Sequence, residues 1–141
     1  MKAIDNMLKY ASEIASKLEL VNINNLEDSK TDMIKRNWNQ LDEGRNSLDN
    51  PITPFYSDSY AKQKGFKIPD LKDKGDFRES FDVDIRDKEV VFGASDKKTP
   101  DLLDKYGEEV LGLTEKNANE VFEKIAEKNA KFIERTAVKY L

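Results

Sequence analysis

A chain of 141 residues is long enough to bury the core of one domain, and 37% of its residues are charged, so much of each helix must face solvent or a polar partner. The sequence has neither cysteine nor histidine, which excludes disulfides and thiolate zinc sites, removes the commonest general base, and argues against an enzyme or a bound cofactor. The net charge of −4, with both signs interspersed, argues against a dedicated nucleic-acid binder and against direct contact with DNA.

The first predicted element is an amphipathic helix over residues 3–20. Its apolar residues recur at spacings of three and four: Ile4, Met7, Leu8, Ala11, Ile14, Ala15 and Leu18. This stripe predicts packing against the core, with a surface for a partner helix as the alternative. Asn22, Asn24 and Asn25 favour turns and therefore predict the end of the helix. The segment lacks the uninterrupted apolar run of a secretory signal, and no stretch of the sequence is apolar enough to predict a membrane span.

A second helix is predicted from Ser29 or Thr31 to Leu48. Its apolar stripe consists of Ile34, Trp38, Leu41 and Leu48. We interpret the single tryptophan as an anchor in the core or between helices rather than as a platform for a ligand. The opposite face is predicted to be solvated, and it carries Lys35, Arg36, Asn39, Gln40, Glu43 and Arg45.

Residues 50–75 are predicted to form a long connection with little regular structure, because Pro51 and Pro54 push the residues before them away from the helical region. A short helix over residues 57–64, ended by Gly65, is the exception. The connection interleaves aromatic residues with lysines: Phe55, Tyr56, Tyr60, Lys62, Lys64, Phe66 and Lys67. These side chains could dock the connection on the core, stack on nucleic acid, or become ordered only against a neighbouring subunit.

An alternating pattern predicts a β-hairpin in the middle of the chain. Apolar and charged residues alternate in its first strand: Phe81, Asp82, Val83, Asp84, Ile85 and Arg86. Asp87-Lys88 is the predicted turn, and the second strand runs over residues 90–92 and ends at Gly93. The spacing of Asp82, Asp84 and Asp87 is similar to the start of a calcium loop, but the glycine and the distal glutamate of such a loop are not at the required positions. Aspartates on the solvent-facing side of a strand explain the pattern without a metal.

Two helices are predicted after the hairpin. Thr99 is the expected cap of the first, with Pro100 at its first position and Gly107 at its end. Thr114 is the expected cap of the last helix, whose apolar stripe continues to Tyr140. Asn129 interrupts that stripe, either as a polar residue at a packing seam or as a simple break.

The predicted fold class is therefore α+β, with a small antiparallel β-hairpin packed against N-terminal helices and a long C-terminal helix. We expect one domain over residues 1–141. Its parts are a helical portion over residues 1–49, the long loop over residues 50–75, and the hairpin with the C-terminal helices over residues 76–141.

The segment that begins at Leu71 (LKDKGDFRES) resembles the "L-x-D-T-G-x-L-x-x-S" motif of phage tail-component proteins, the family that works in tail completion and virion morphogenesis at the head–tail junction. Lys74 and Phe77 stand where that motif has threonine and leucine. The family's later features also have counterparts: the hairpin end at residues 90–93, a tyrosine and glycine at residues 106–107, and the turn VLGLT before the last helix. The matching structural positions are Gly75, Phe77, Ser80, Gly93, Gly107, Gly112 and Thr114.

The resemblance implies a non-enzymatic virion protein that is assembled in the host cytoplasm and joins phage head and tail by forming a ring. Its partners would be copies of itself and neighbouring connector or tail proteins. Its role in the particle would be that of a tail-completion protein, a tail terminator or a neck adaptor. The candidate residues of the subunit interface are Phe55, Tyr56, Tyr60, Lys62, Lys64, Phe66, Lys67, Asp82 and Asp84. The alternative is an intracellular regulatory module, encoded by a phage or mobile element, that binds one host protein through its acidic strand face. An enzyme would have to rely on Asp, Glu, Lys and Tyr alone.

Overall fold

The computed structural model describes residues 2–86 and 89–138, and these residues form an α+β fold as predicted. The elements in chain order are α1 (Lys2–Asp28), α2 (Lys30–Asp42), α3 (Asp58–Lys64), α4 (Asp76–Glu79), β1 (Phe81–Arg86), β2 (Glu89–Ala94), α5 (Thr99–Tyr106), a 3₁₀ turn (Glu108–Val110) and α6 (Glu115–Val138). The predicted turn at Asp87-Lys88 and the end of the predicted stripe at Tyr140 lie outside the described residues.

The chain divides into two compact units. The helical unit consists of α1 and α6 from Glu120 onward, and the central unit consists of residues 30–119. These boundaries differ from the predicted division at residues 49 and 75. The prediction of a single domain stays a prediction.

In the helical unit, α1 continues through the three asparagines that were predicted to end it. The physical reason is a distant partner. The Asn129 side chain donates to Asn22 Oδ1 at 2.8 Å and accepts from Asn25 Nδ2 at 2.8 Å, so these amides do not compete for the backbone of α1. Asn129 is thus a polar residue at a packing seam rather than a break in α6. Among the residues of this unit whose burial is described, the buried large apolar side chains are Leu26, Val121 and Ile125.

The predicted end of the second helix is wrong, because α2 stops at Asp42 rather than at Leu48. Gly44 adopts φ +73°, which leaves the helical region, and its N–H bonds the Leu41 carbonyl at 2.9 Å. A Cβ at this glycine would lie 2.6 Å from Cγ2 of Ile68, so the turn requires glycine for space as well as for conformation. Leu48 consequently stands 65% exposed instead of extending the apolar stripe.

The predicted solvated face of α2 is wrong at Gln40, which is only 3% exposed. Its Nε2 donates to the Gly112 carbonyl and its Oε1 accepts the Thr114 N–H, both at 2.9 Å. Asn37, one turn earlier and fully buried, accepts the Gly112 N–H and donates to the Val110 carbonyl, also at 2.9 Å. Two amides of α2 therefore satisfy the backbone of the segment that leads into α6.

The core of the central unit lies between α2, the hairpin and the segments around them. Its buried members are Leu41, Ile52, Leu71, Phe77, Phe81 and Val110. Trp38 packs against this cluster, and its indole N–H donates to the Arg78 carbonyl at 2.9 Å, which confirms the prediction of a core anchor. The rings of Phe77 and Phe81 meet edge to face with centroids 5.0 Å apart.

Strands β1 and β2 form the predicted antiparallel hairpin, but the predicted end of the second strand at Gly93 is wrong, because Gly93 and Ala94 still pair with β1. Phe81 pairs with Ala94, Asp82 with Gly93, and Asp84 with Val91. Phe81 and Val83 are buried, whereas Asp82 is exposed, as the alternation predicted.

The helix boundaries after the hairpin differ in one respect from expectation. Thr99 is not the cap of α5, because residues 96–98 already form a turn in which the Asp96 carboxylate accepts the Lys98 N–H at 3.1 Å. The Thr99 hydroxyl is buried and makes no hydrogen bond within the described part of the chain. Gly107 ends α5, and Thr114 caps α6 by accepting the Asn117 N–H at 3.3 Å, both as predicted.

Candidate interaction site

An aromatic cluster forms where α3 meets the loop on either side of it. The Ser57 hydroxyl accepts the Tyr60 N–H at 3.4 Å and begins α3, while Gly65 ends it with φ +86°, as the sequence predicted. The turn brings Phe66 back towards Tyr56, whose ring centroid lies 6.1 Å away. The rings of Tyr56 and Tyr60 meet edge to face at 4.8 Å.

Lys64 lies over this cluster. Its Nζ is 5.6, 5.5 and 5.9 Å from the ring centroids of Tyr56, Tyr60 and Phe66. Burial acts to lower the pKa of Lys64, but the neighbouring Tyr56 and Tyr60 hydroxyls raise it above its ordinary value. Burial also raises the pKa of the Tyr56 hydroxyl, and the Lys64 charge opposes part of that rise. The ammonium group therefore stays charged at physiological pH, where the faces of the aromatic rings attract it.

The cluster forms one wall of a pocket of about 450 Å³. The lining is rich in lysines and aromatic rings: Phe55, Tyr56, Tyr60, Lys64, Lys72, Lys74, Phe77, Lys98, Lys105 and Tyr106. Asp73 and Asp76 are the carboxylates of the lining, so the pocket has a surplus of three positive charges. Asp73 Oδ2 lies 3.9 Å from Lys98 Nζ, a long and exposed ion pair.

Arg78 fixes the loop that presents Lys72 and Lys74 to this pocket. Its guanidinium is buried, donates to the Asp70 carbonyl through Nη2 at 2.5 Å, and pairs with the Asp42 carboxylate at 2.6 Å. The Asp70 side chain in turn accepts the Lys72 N–H at 3.1 Å. The loop is therefore held by charge-assisted hydrogen bonds from Arg78 of α4, which is itself paired with Asp42 of α2, rather than by apolar packing alone.

The predicted interface residues are brought together only in part. Phe55, Tyr56, Tyr60 and Lys64 line the pocket, whereas Lys62 is exposed and does not. Phe66 and Lys67 line a second pocket of about 410 Å³ together with Asp42, Glu43 and Asp70. The Lys67 Nζ also lies 5.4 Å from the centroid of the Phe55 ring.

Four lysines of the pocket were not predicted from the sequence: Lys72, Lys74, Lys98 and Lys105. Their separation along the chain hides them, since the loop before α4 contributes the first two and the α5 region the others. The available signal was an excess of lysines between residues 62 and 105, but no local spacing relates those in α5 to those before α4.

The remaining candidates, Asp82 and Asp84, lie on the outward face of the hairpin. The strand alternation and the cross-strand register place Arg86, Glu89, Val91 and Gly93 on the same face. The Arg86 guanidinium bonds the Asp84 carboxylate at 2.5 Å and holds the pKa of that carboxyl below its usual range. Val91 is 38% exposed, and a Cβ at Gly93 would meet no atom within 4 Å.

The described residues also bear on metal sites and membrane spans. Within residues 2–86 and 89–138, no three side chains of the metal-binding types Asp and Glu are grouped so that they could hold a metal ion. None of the helices in this part of the chain combines the length and the apolar character that crossing a bilayer requires.

Comparison of the chain with models of protein families, with curated proteins and with solved structures gives no match.

Proposed function

We propose that this chain is a non-enzymatic structural subunit that assembles with copies of itself and with neighbouring proteins at a phage head–tail junction or tail. The assignment to a virion, and to a position within it, rests on the sequence resemblance, which covers about residues 68–135. Assembly rests on the surfaces that the folded subunit leaves exposed.

The observation that carries assembly is the pair of exposed apolar stripes in the helical unit. On α1, Leu8, Leu20 and Ile23 are 65%, 63% and 41% exposed, and at about 100° per residue they fall within an arc of roughly 120°. On α6, Phe122 and Ile133 are 46% and 42% exposed, and the same geometry places them only about 20° apart. Large apolar side chains grouped on one side of a helix are typical of surfaces that become buried in an assembly.

The residues of the resemblance have structural roles, which fits a family defined by its shape rather than by an active site. Gly75 begins α4 with φ +90°, and the Ser80 hydroxyl donates to the Phe77 carbonyl at 2.7 Å to close that turn. Gly112 adopts φ +117° between the two amides of α2, and Thr114 caps α6.

The test is the mass of the purified chain, measured by light scattering from micromolar to near-millimolar concentration. We expect a shift from monomer to one closed oligomer, and we expect Leu20→Gln and Phe122→Gln to weaken it because each removes exposed apolar area from a stripe. Asn39→Gln, a change at an exposed polar position of α2, is the control.

A chain that stays monomeric throughout, and that binds no connector or tail protein in a pull-down, would contradict the proposal. Tight binding of a monomer to one host protein would instead support the regulatory alternative.

A further inference from the structure

The lysine pocket and the outward hairpin face have complementary charge. The whole chain carries −4 and the pocket lining carries +3, so the rest of the chain carries −7. On the outward hairpin face, the described residues Asp82, Asp84 and Glu89 are negative and Arg86 is positive. If the basic pocket and the acidic face belong to different surfaces of the central unit, they cannot meet within one subunit. They can then bind each other only between two copies.

The two surfaces also have complementary shapes. Val91, in the middle of the hairpin face, and Gly93, at its end away from the turn, leave β2 flat and partly apolar there, because glycine has no side chain and no atom of the described residues lies within 4 Å of where its Cβ would be. A glycine inside a strand often marks a place where another group approaches the backbone closely. At the pocket, Phe55 and Tyr60 are 46% and 41% exposed, so two aromatic rings are available to lie on such a flat surface.

We propose that the lysine pocket of one subunit receives the outward hairpin face of the next copy. Phe55 and Tyr60 lie over Gly93 and Val91, and the pocket lysines face Asp82. This inference rests on the proposed function, since it adds a second contact between neighbouring subunits to the one expected from the apolar stripes of the helical unit. The two halves of the contact are different surfaces, so the contact is heterologous and its repetition closes a ring or extends a filament.

The first test adds bulk at Gly93. Gly93→Thr places a β-branched side chain in open space on a strand, at a position whose φ is not in the left-handed region, so the folded subunit should be at least as stable as wild type. The added side chain would hold the aromatic rings away from the hairpin, and we expect self-association to weaken about tenfold or more. Ser95→Thr adds a methyl group at an exposed residue just beyond β2 and serves as the control.

The second test reverses charges. Lys72→Glu combined with Lys74→Glu should weaken self-association at least tenfold, whereas the same change of charge at Lys35 and Lys62, both exposed and outside the pocket, should have little effect. Added salt should weaken the wild-type contact and should weaken the pocket variant much less.

A reciprocal pair tests the contact itself. Lys74→Glu alone and Asp82→Lys alone should each weaken association, and one chain that carries both should regain most of the loss. Sedimentation velocity measures the association constants, and circular dichroism with Trp38 fluorescence shows that each variant is folded.

The outcomes separate the two proposals. If neither the Lys72/Lys74 charge reversal nor Gly93→Thr changes the association constant, this contact is wrong. The proposed function would still stand. A chain that never self-associates would overturn this contact, and it would overturn the proposed function as well if the chain also binds no connector or tail protein.

Discussion

Replacing Gln40 by alanine should destabilise the central unit strongly, although the residue lies on the polar side of α2 by sequence. The substitution leaves the Thr114 N–H and the Gly112 carbonyl without their partners, which lie 2.9 Å from the amide in the folded protein. A buried polar group without a partner costs about 1–3 kcal/mol. Because Gly112 is partly accessible to water and alanine favours the helix, we expect a net loss of about 2–4 kcal/mol in the free energy of unfolding.

Urea unfolding followed by the fluorescence of Trp38 measures this loss, since the single tryptophan packs on the core of the same unit. A loss of that size corresponds to a fall of about 1–2 M in the urea midpoint. Asn39→Ala, one residue earlier and exposed, is the matched control and should change the free energy of unfolding by less than about 0.5 kcal/mol.

Gln40→Glu sharpens the test, because a carboxylate accepts from Thr114 but repels the Gly112 carbonyl. The folded-state pKa of the new carboxyl should therefore lie above its unfolded value, and the variant should gain stability relative to wild type as the pH falls from 7 towards 5. Equal midpoints for Gln40→Ala and Asn39→Ala would refute the reasoning.

Three further predictions concern packing, backbone and charge. In urea unfolding, Leu41→Ala should lower the free energy of unfolding by about 3–5 kcal/mol and Leu48→Ala by less than about 0.5 kcal/mol, because Leu41 is fully buried and Leu48 is 65% exposed. Similar losses for the two variants would contradict the observed end of α2. Gly44→Ala should cost about 1–3 kcal/mol, because its φ is +73° and its methyl group would meet an isoleucine at 2.6 Å; a stabilised variant would disprove the turn. Lys64→Met should raise the pKa of Tyr56 further in an alkaline absorbance titration, because it removes the charge that opposes the effect of burial; an unchanged titration would place Lys64 elsewhere.

Local signals predicted the elements that depend on neighbouring residues. The hairpin follows from strict alternation, Thr114 caps α6 three residues before the N–H it accepts, and Gly65 and Gly107 end helices at positive φ. Each of these features is decided within about four residues of the chain, so the pattern contains the necessary information.

The errors arose where a distant partner outweighed a local preference. Asn22 and Asn25 favour turns in isolation, but Asn129 satisfies both more than a hundred residues later. The position of Gln40 in α2 predicts a surface residue, but the segment at Gly112 lies against it and buries it. No spacing within α2 or α1 contains that information.

The site was predictable only in part for the same reason. The aromatic residues and Lys64 are close in sequence and were recognised together. The lysines of α5 join them through the fold of the central unit, and Arg78, which holds the loop of Lys72 in place, resembles any other charged residue of a charged chain.

Negative-stain electron microscopy of the purified chain, with native mass spectrometry of the same sample, decides whether the chain assembles as proposed. The account predicts closed rings of a single subunit number, formed at low salt and high concentration and lost in Lys72→Glu/Lys74→Glu. Uniform monomers in both measurements, under conditions where unfolding shows the chain to be folded, would contradict it.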